Sequence, residues 1–200
     1  NVTNNHSIGI YAANGSKVET DAGTAINIGS NGIGIYAEGY KQGAAQIFGD
    51  GKLDLTNNGV IRSNSGNNAI GIYIDNNSGV LVSDSKLNLA AGKIDVSASE
   101  SGIGVYANKA VITDSGSEIT VGKNGIGIYA IDSDVTLSGI TVNLFGDNAL
   151  GLYIDGATNF TGNGQINISG KNVVLFNMLS SGTILTNNFT VNSVAPGSSY

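Results

Sequence analysis

A four-residue phrase that keeps returning constrains this chain more than any other feature. Ile8-Gly9-Ile10-Tyr11 recurs as Ile33-Gly34-Ile35-Tyr36, Ile70-Gly71-Ile72-Tyr73, Ile103-Gly104-Val105-Tyr106, Ile126-Gly127-Ile128-Tyr129 and Leu150-Gly151-Leu152-Tyr153. A degenerate seventh copy, Val173-Val174-Leu175-Phe176, keeps the apolar and aromatic frame without the glycine. The aromatic positions 11, 36, 73, 106, 129, 153 and 176 lie 25, 37, 33, 23, 24 and 23 residues apart. Fixed-period self-similarity on this scale marks a repeat architecture, in which a unit buries its apolar face only by stacking on its neighbour.

Between the copies, apolar and polar residues alternate with period two, as in Ile26-Asn27-Ile28, Ile94-Asp95-Val96, Ile119-Thr120-Val121, Ile140-Thr141-Val142 and Ile166-Asn167-Ile168. Such alternation predicts strands. A third short strand fits at Val80-Leu81-Val82, Val111-Ile112-Thr113, Val135-Thr136-Leu137 and Asn159-Phe160-Thr161. Asn-Gly, Asp-Gly, Ser-Gly and Asn-Asn pairs separate the strands, and these residues tolerate positive φ in tight corners. No segment reads as a helix. Corners this short leave no room for a helical crossover, so each turn of chain returns to its start one rung higher. The expected fold is all-β, a right-handed parallel β-helix (β-solenoid) of about 23–25 residues per coil with three short strands per coil, its hand taken from the parallel crossover preference together with the family resemblance given below. An antiparallel sandwich, the rival all-β fold, does not require the same strand to return at near-constant spacing.

Strict alternation along Ile33-Gly34-Ile35-Tyr36-Ala37 puts Ile33, Ile35 and Ala37 on one face and Gly34 and Tyr36 on the other. Ile10, Ile35, Ile72, Val105, Ile128 and Leu152 are then expected as an interior ladder, with Tyr11, Tyr36, Tyr73, Tyr106, Tyr129 and Tyr153 as an outward column beside a strip of glycines. Stacked aromatics of this kind stabilise a sheet whether or not they bind anything. Asn31, Asn68, Asn124 and Asn148 share one corner, where stacked amides pin the register. The region 1–176 is expected to be helical repeat, with longer coils at 37–69 and 74–102, and 177–200 an irregular final coil or junction. The second coil's insertion, around Gly39 to Asp50, holds Tyr40 and Phe48. Insertions in repeat proteins map to one side and often bind, so these two join the tyrosine column as candidate binding residues. The third coil's extra residues are expected around Ala90 to Ser97.

Composition narrows the function. Only 12% of the 200 residues are charged, against 30 glycines, 26 asparagines and 21 serines, which excludes long charged helices. Net charge is −6 and Arg62 is the only arginine, so nucleic acid is not an expected partner. Cysteine is absent, which removes disulfides, thiolate metal sites and cysteine nucleophiles. The chain starts at Asn1 without a methionine, a signal segment or an apolar run of spanning length, and is expected to be a piece of a longer polypeptide. Its acids are scattered. Asp132 and Asp134 are expected on one strand face, whereas two coils separate Asp75 from Asp155. His6, the lone histidine, is expected as a solvated turn residue near the start. No catalytic residue, no metal site and no cofactor is expected, and the glycine-aspartate calcium nonapeptide is missing.

Coils reading Asn-Gly-Ile-Gly-Ile-Tyr-Ala, at 31–37 and 124–130, resemble the passenger regions of very large Gram-negative autotransporter adhesins, particularly the fusobacterial kind. The resemblance extends from about Ser7 to Phe176. It implies a non-enzymatic, β-helical segment exported through an outer-membrane barrel, held at the cell surface or secreted after cleavage, and attached to host cells or other bacteria. The implied partner is a host-cell or bacterial surface receptor, protein or glycan, with no membrane insertion by this segment and a monomeric chain. A structural spacer without its own ligand is the alternative. A toxin-like passenger and a carbohydrate-active β-helix rank behind both.

Overall fold

The computed structural model describes residues 4–13, 15–39, 53–76, 85–179 and 183–193, the side chains of 183–186 excepted. Its strands fall into seven successive coils. The first carries β1 (Ile8–Ala13), β2 (Lys17–Thr20) and β3 (Ala25–Ile28); the second β4 (Ile33–Glu38), β5 (Leu53–Asn57) and β6 (Val60–Ser63). The third has β7 (Ile70–Asp75), β8 (Ser85–Asn88) and β9 (Lys93–Val96), and the fourth β10 (Ile103–Asn108), β11 (Val111–Thr113) and β12 (Glu118–Val121). In the fifth, β13 (Ile126–Ile131) is followed by one long strand, β14 (Asp134–Leu144); the sixth repeats this with β15 (Leu150–Asp155) and β16 (Asn159–Ile168), the seventh with β17 (Val174–Met178) and β18 (Thr183–Ser193).

Every pairing is parallel and joins a strand to its counterpart one coil away, which is the wiring of a parallel β-helix. The phrase strands form a seven-stranded sheet in the order β1-β4-β7-β10-β13-β15-β17. The other two ladders fuse into an eleven-stranded sheet because β14, β16 and β18 run through both. A register irregularity between Ser138 and Ile140, at Gly139 with φ 79°, marks where β14 turns from one ladder to the next. The second ladder's strands β2, β5 and β8 escape the sequence reading, although β5 alternates as Leu53-Asp54-Leu55. In the third coil β8 takes the ladder position expected of Val80 to Val82, which lie outside the described residues.

The core is built mainly of stacked aliphatic side chains. Ile28, Ile35, Ile61, Ile72, Leu87, Ile94, Val105, Ile112, Ile119 and Ile128 are all at most 1% exposed. Each contributes roughly 1.5–3 kcal/mol relative to an exposed position. The final described coil is closed by aromatics: Phe160, Phe176 and Phe189 lie 5.7–6.3 Å apart between ring centres.

One corner repeats in every coil. His6, Asn31, Asn68, Ser101, Asn124, Asn148 and Asn172 each stand two residues before a phrase strand, with φ between 52° and 61°. Asparagine is favoured there because its short amide tolerates the left-handed region. The expected amide ladder forms: Asn68 Nδ2 donates to Asn31 Oδ1 at 3.0 Å, and Asn148 Nδ2 to Asn124 Oδ1 at 3.2 Å. At Ser101, where the asparagine is missing, Asn124 Nδ2 turns to Glu100 Oε1 at 3.0 Å. His6 is an exposed turn residue here, as expected.

Three placements differ from the sequence reading. Alternation breaks at the phrase glycine. The burial pattern is half-buried, buried, buried, half-buried in every copy from β4 to β15, so Gly34 and Ile35 both face inward while Ile33 and Tyr36 face outward. A Cβ on Gly34 would stand 2.5 Å from Gly71 O and 2.5 Å from Ile61 Cγ2, a position that only glycine fits. Second, Ala90 to Ser97 is no insertion, because it contains β9, in register with β6 and β12. The third coil's additional length precedes Ser85, and 77–84 are outside the described residues. Third, Phe176 pairs with Leu152, facing the core, and Asn177 takes the position opposite Tyr153, so the last copy is offset by one residue. Beyond it, β18 stacks on β16 with a register irregularity between Phe160 and Thr161, so paired coil structure continues past residue 176.

Candidate functional site

The outer face of the seven-stranded sheet is assembled by in-register stacking, which lines up like positions of successive coils. Three columns result. Ile8, Ile33, Ile70, Ile103, Ile126, Leu150 and Val174 form the first; Tyr11, Tyr36, Tyr73, Tyr106, Tyr129 and Tyr153 the second; Ala13, Glu38, Asp75, Asn108, Ile131 and Asp155 the third. The first two make a continuous aliphatic and aromatic strip. Its members are half-buried by one another, apart from the end residues Ile8, Tyr11 and Val174, which are exposed.

Outward positions of the other ladders read differently. Across β2, β5, β8, β11 and β14 one column runs Lys17, Asp54, Lys86, Val111, Asp134. Across β3, β6, β9, β12, β14 and β16 another runs Asn27, Arg62, Asp95, Thr120, Asn143, Asn167. Ala25, Val60 and Val111 interrupt these polar positions, and Phe145 directly after β14 and Val191 in β18 are exposed apolar side chains standing singly. The apolar strip is therefore confined to one of three faces.

Within the tyrosine column, ring centres are 5.6, 4.9, 4.6, 5.2 and 4.3 Å apart from Tyr11 to Tyr153. The first three pairs are stacked within 11° of parallel, and the last two tilt by 31° and 39°. Carboxylates of the third column receive the phenols. Tyr11 and Tyr36 donate to the two oxygens of Glu38, the latter at 2.9 Å, and Tyr73 donates to Asp75 Oδ2 at 3.3 Å. Burial, then the bond to Glu38, pushes Tyr36 up to about 12. Burial and the Asp75 charge raise Tyr73 and Tyr106. Tyr129 is raised by burial and then by the neighbouring Tyr153 hydroxyl. Tyr11, Tyr36 and Tyr73 are thus donors to carboxylates, not poised as bases.

The acids elsewhere are engaged in corners. Asp114, 6% exposed, accepts from the Gly116 and Ser117 amides at 3.2 and 2.9 Å. Asp132 sits at a left-handed corner with φ 47° and accepts from Ala157 N at 2.9 Å. It does not share a strand face with Asp134, which opens β14 and accepts from Asn159 Nδ2 at 2.8 Å. Asp75 and Asp155 are separated by the coils of Asn108 and Ile131, as expected. Among the described residues no group of three or more His, Cys, Asp or Glu side chains could hold a metal ion, and no helix is long and apolar enough to cross a membrane.

The six column tyrosines are thus brought together, whereas Tyr40 and Phe48 lie outside the described residues. The sequence reading missed the aliphatic column. Its signal was present: every phrase opens on Ile or Leu, at a position that polar residues would fill if it merely faced water. No family model, no curated protein and no solved structure matches this chain.

Proposed function

We propose that this chain is a non-enzymatic adhesin segment of a longer autotransporter-type passenger, displayed at the cell surface, with the aliphatic and tyrosine strip as its contact surface. The observation that supports this is the asymmetry between the faces. Two ladders point charged and amide side chains outward, while the third exposes an unbroken apolar strip along seven coils. Contiguous exposed apolar strips on soluble proteins mark interaction surfaces, and tyrosine supplies contact area at small entropic cost.

One feature favours a second reading, a stalk that holds a distant tip away from the membrane. The tyrosines stack on one another and bond to their own carboxylates, so the column is satisfied without a ligand. Binding of the folded chain to epithelial cells and to partner bacteria separates the two, compared with a variant carrying Tyr36, Tyr106 and Tyr129 changed to Ser. Saturable binding lost in the variant, with β-sheet circular dichroism intact, is the adhesin result. An intact chain that binds neither target leaves the stalk.

A further inference from the structure

The closest aromatic pair in the column is Tyr129 and Tyr153, with ring centres 4.3 Å apart and planes tilted by 39°. They are direct Cα partners in adjacent strands β13 and β15, so the backbone holds the rings opposite each other. Burial, and after it the neighbouring Tyr153 hydroxyl, raises the Tyr129 phenol.

Most of the side chains that a one-electron oxidant attacks stand in this column. The chain has no cysteine and no tryptophan, and Met178 is its only methionine. Of its 8 tyrosines, all but Tyr40 and Tyr200 stand in the column. Ring separations of 4.3–5.6 Å along it let an oxidising equivalent pass from coil to coil until it meets a partner with which it can react. Phenols bonded to Glu38 and Asp75 have a carboxylate at hand to take the proton as the electron leaves.

We propose that Tyr129 and Tyr153 form an oxidative cross-linking site, in which a peroxidase and hydrogen peroxide join the two rings and staple the fifth coil to the sixth. Each phenol gives up one electron and one proton. Hydrogen peroxide takes both electrons and both protons and leaves as two waters. The two phenoxyl radicals combine through a carbon ortho to each oxygen, and the hydrogens on those carbons then shift to the oxygens, restoring two phenols in a dityrosine. Rings already held in contact couple far faster than rings that must meet by diffusion. The tilt of this pair takes it part of the way from a stack towards the edge-joined product. The link closes a loop in the unfolded chain and so acts on stability as a disulfide does.

The test treats the dilute folded chain with horseradish peroxidase and hydrogen peroxide, separates monomer by size exclusion, and reads dityrosine fluorescence, loss of two hydrogens by mass, and linked peptides after proteolysis. The expected result is a monomer whose Tyr129 and Tyr153 peptides are joined and whose melting temperature is raised. Tyr153→Phe and Tyr129→Phe, which keep the ring but cannot couple, should each lose most of the monomer fluorescence while retaining the parent circular dichroism. Tyr40→Phe should keep the fluorescence. Dityrosine confined to covalent dimers, a monomer link that maps to any other pair, or undiminished fluorescence in both folded phenylalanine variants overturns the proposal.

Discussion

Replacing Gly71 with alanine tests the inward turn of the phrase glycine, because the two orientations predict opposite signs. Had the glycine pointed to solvent, as strict alternation implies, a methyl group there would stabilise the chain by about 0.4–1 kcal/mol through the unfolded state. The structure instead puts the added Cβ 2.3 Å from Ile94 Cγ2 and 2.5 Å from Gly104 O. Neither neighbour yields easily. Ile94 is 1% exposed in the packed interior, and Gly104 belongs to the adjacent phrase strand. Contacts this short put the overpacking cost in the upper half of the usual range, about 2–3 kcal/mol, so after a chain-entropy gain of about 0.4–1 kcal/mol the net loss is about 1–2.6 kcal/mol. For a chain of this length that lowers the melting midpoint by about 2–10 °C. Gly127 provides the graded comparison: its Cβ meets Gly151 O at 2.5 Å but Val142 Cγ1 only at 3.2 Å. Gly127→Ala should therefore cost less than Gly71→Ala. Thermal and urea unfolding followed by far-ultraviolet circular dichroism measures both. A Gly71→Ala chain as stable as its parent refutes the inward placement.

The corner asparagine predicts a pair of opposed substitutions: Asn148→Ala, at φ 58° and without the amide bond to Asn124, should lose about 1–2 kcal/mol, and Asn148→Gly should recover most of it, as urea midpoints would show. Asp114→Ala removes the acceptor of two corner amides and should cost about 1–3 kcal/mol in the same assay; an unchanged midpoint contradicts the corner's role. An unfolded chain ionises its tyrosines near about pH 10, whereas Tyr36 is pushed up to about 12. The unfolded state thus releases its protons first, and stability, intact below about pH 10, should decline between there and about pH 12. Phenolate absorbance tests this directly, since simultaneous ionisation of all tyrosines near pH 10 would rule out the stacked, hydrogen-bonded column. Lys93 and Glu118 pair at 3.0 Å with both side chains solvent-accessible, so Lys93→Ala should cost no more than about 1 kcal/mol and less in high salt.

Much of this fold is legible because a parallel β-helix writes its register into the sequence. Residues one coil apart become neighbours, so the recurrence of Ile-Gly-Ile-Tyr states the pairing of β4 with β7 and of β10 with β13. The asparagine corner is legible for the same reason. Strands β2 and β8 are not, since Lys17-Val18-Glu19-Thr20 and Ser85-Lys86-Leu87-Asn88 carry one strong apolar residue each and draw their order from neighbouring coils, whereas Leu53-Asp54-Leu55 of β5 does carry the alternation. The phase error at Gly34 has a different origin. Period-two reasoning assumes that every residue presents a side chain, and a residue without one lets two successive positions face inward. The same blindness misplaced Phe176, whose frame is set by its pairing with Leu152 and not by its aromatic character.

That phase break links the interior to the surface. Because Gly34 turns in, Ile33 turns out, and the aliphatic column accompanies the glycine column through the six full copies of the phrase, with Val174 continuing it beside Leu175. The outward strip is in this sense a consequence of how closely the coils pack at the glycine. Its chemistry follows from the stacking as well. Rings that lie face to face from Tyr11 to Tyr106 cover one another, so Tyr36 and Tyr73, in the middle of the stack, present edges and hydroxyls, whereas the end residue Tyr11 is 56% exposed. A sugar that stacks on an aromatic needs a free ring face, which the middle of this column does not offer. Under the proposed adhesive role, the strip is suited to a flat apolar protein surface, touched by ring edges and by Ile33, Ile70, Ile103 and Ile126. Changing Ile103 and Ile126 to Thr should then weaken attachment as much as losing tyrosines does. If the rod is only a stalk, the same two changes should leave every binding measurement unmoved, since threonine is at home on the outward side of a strand.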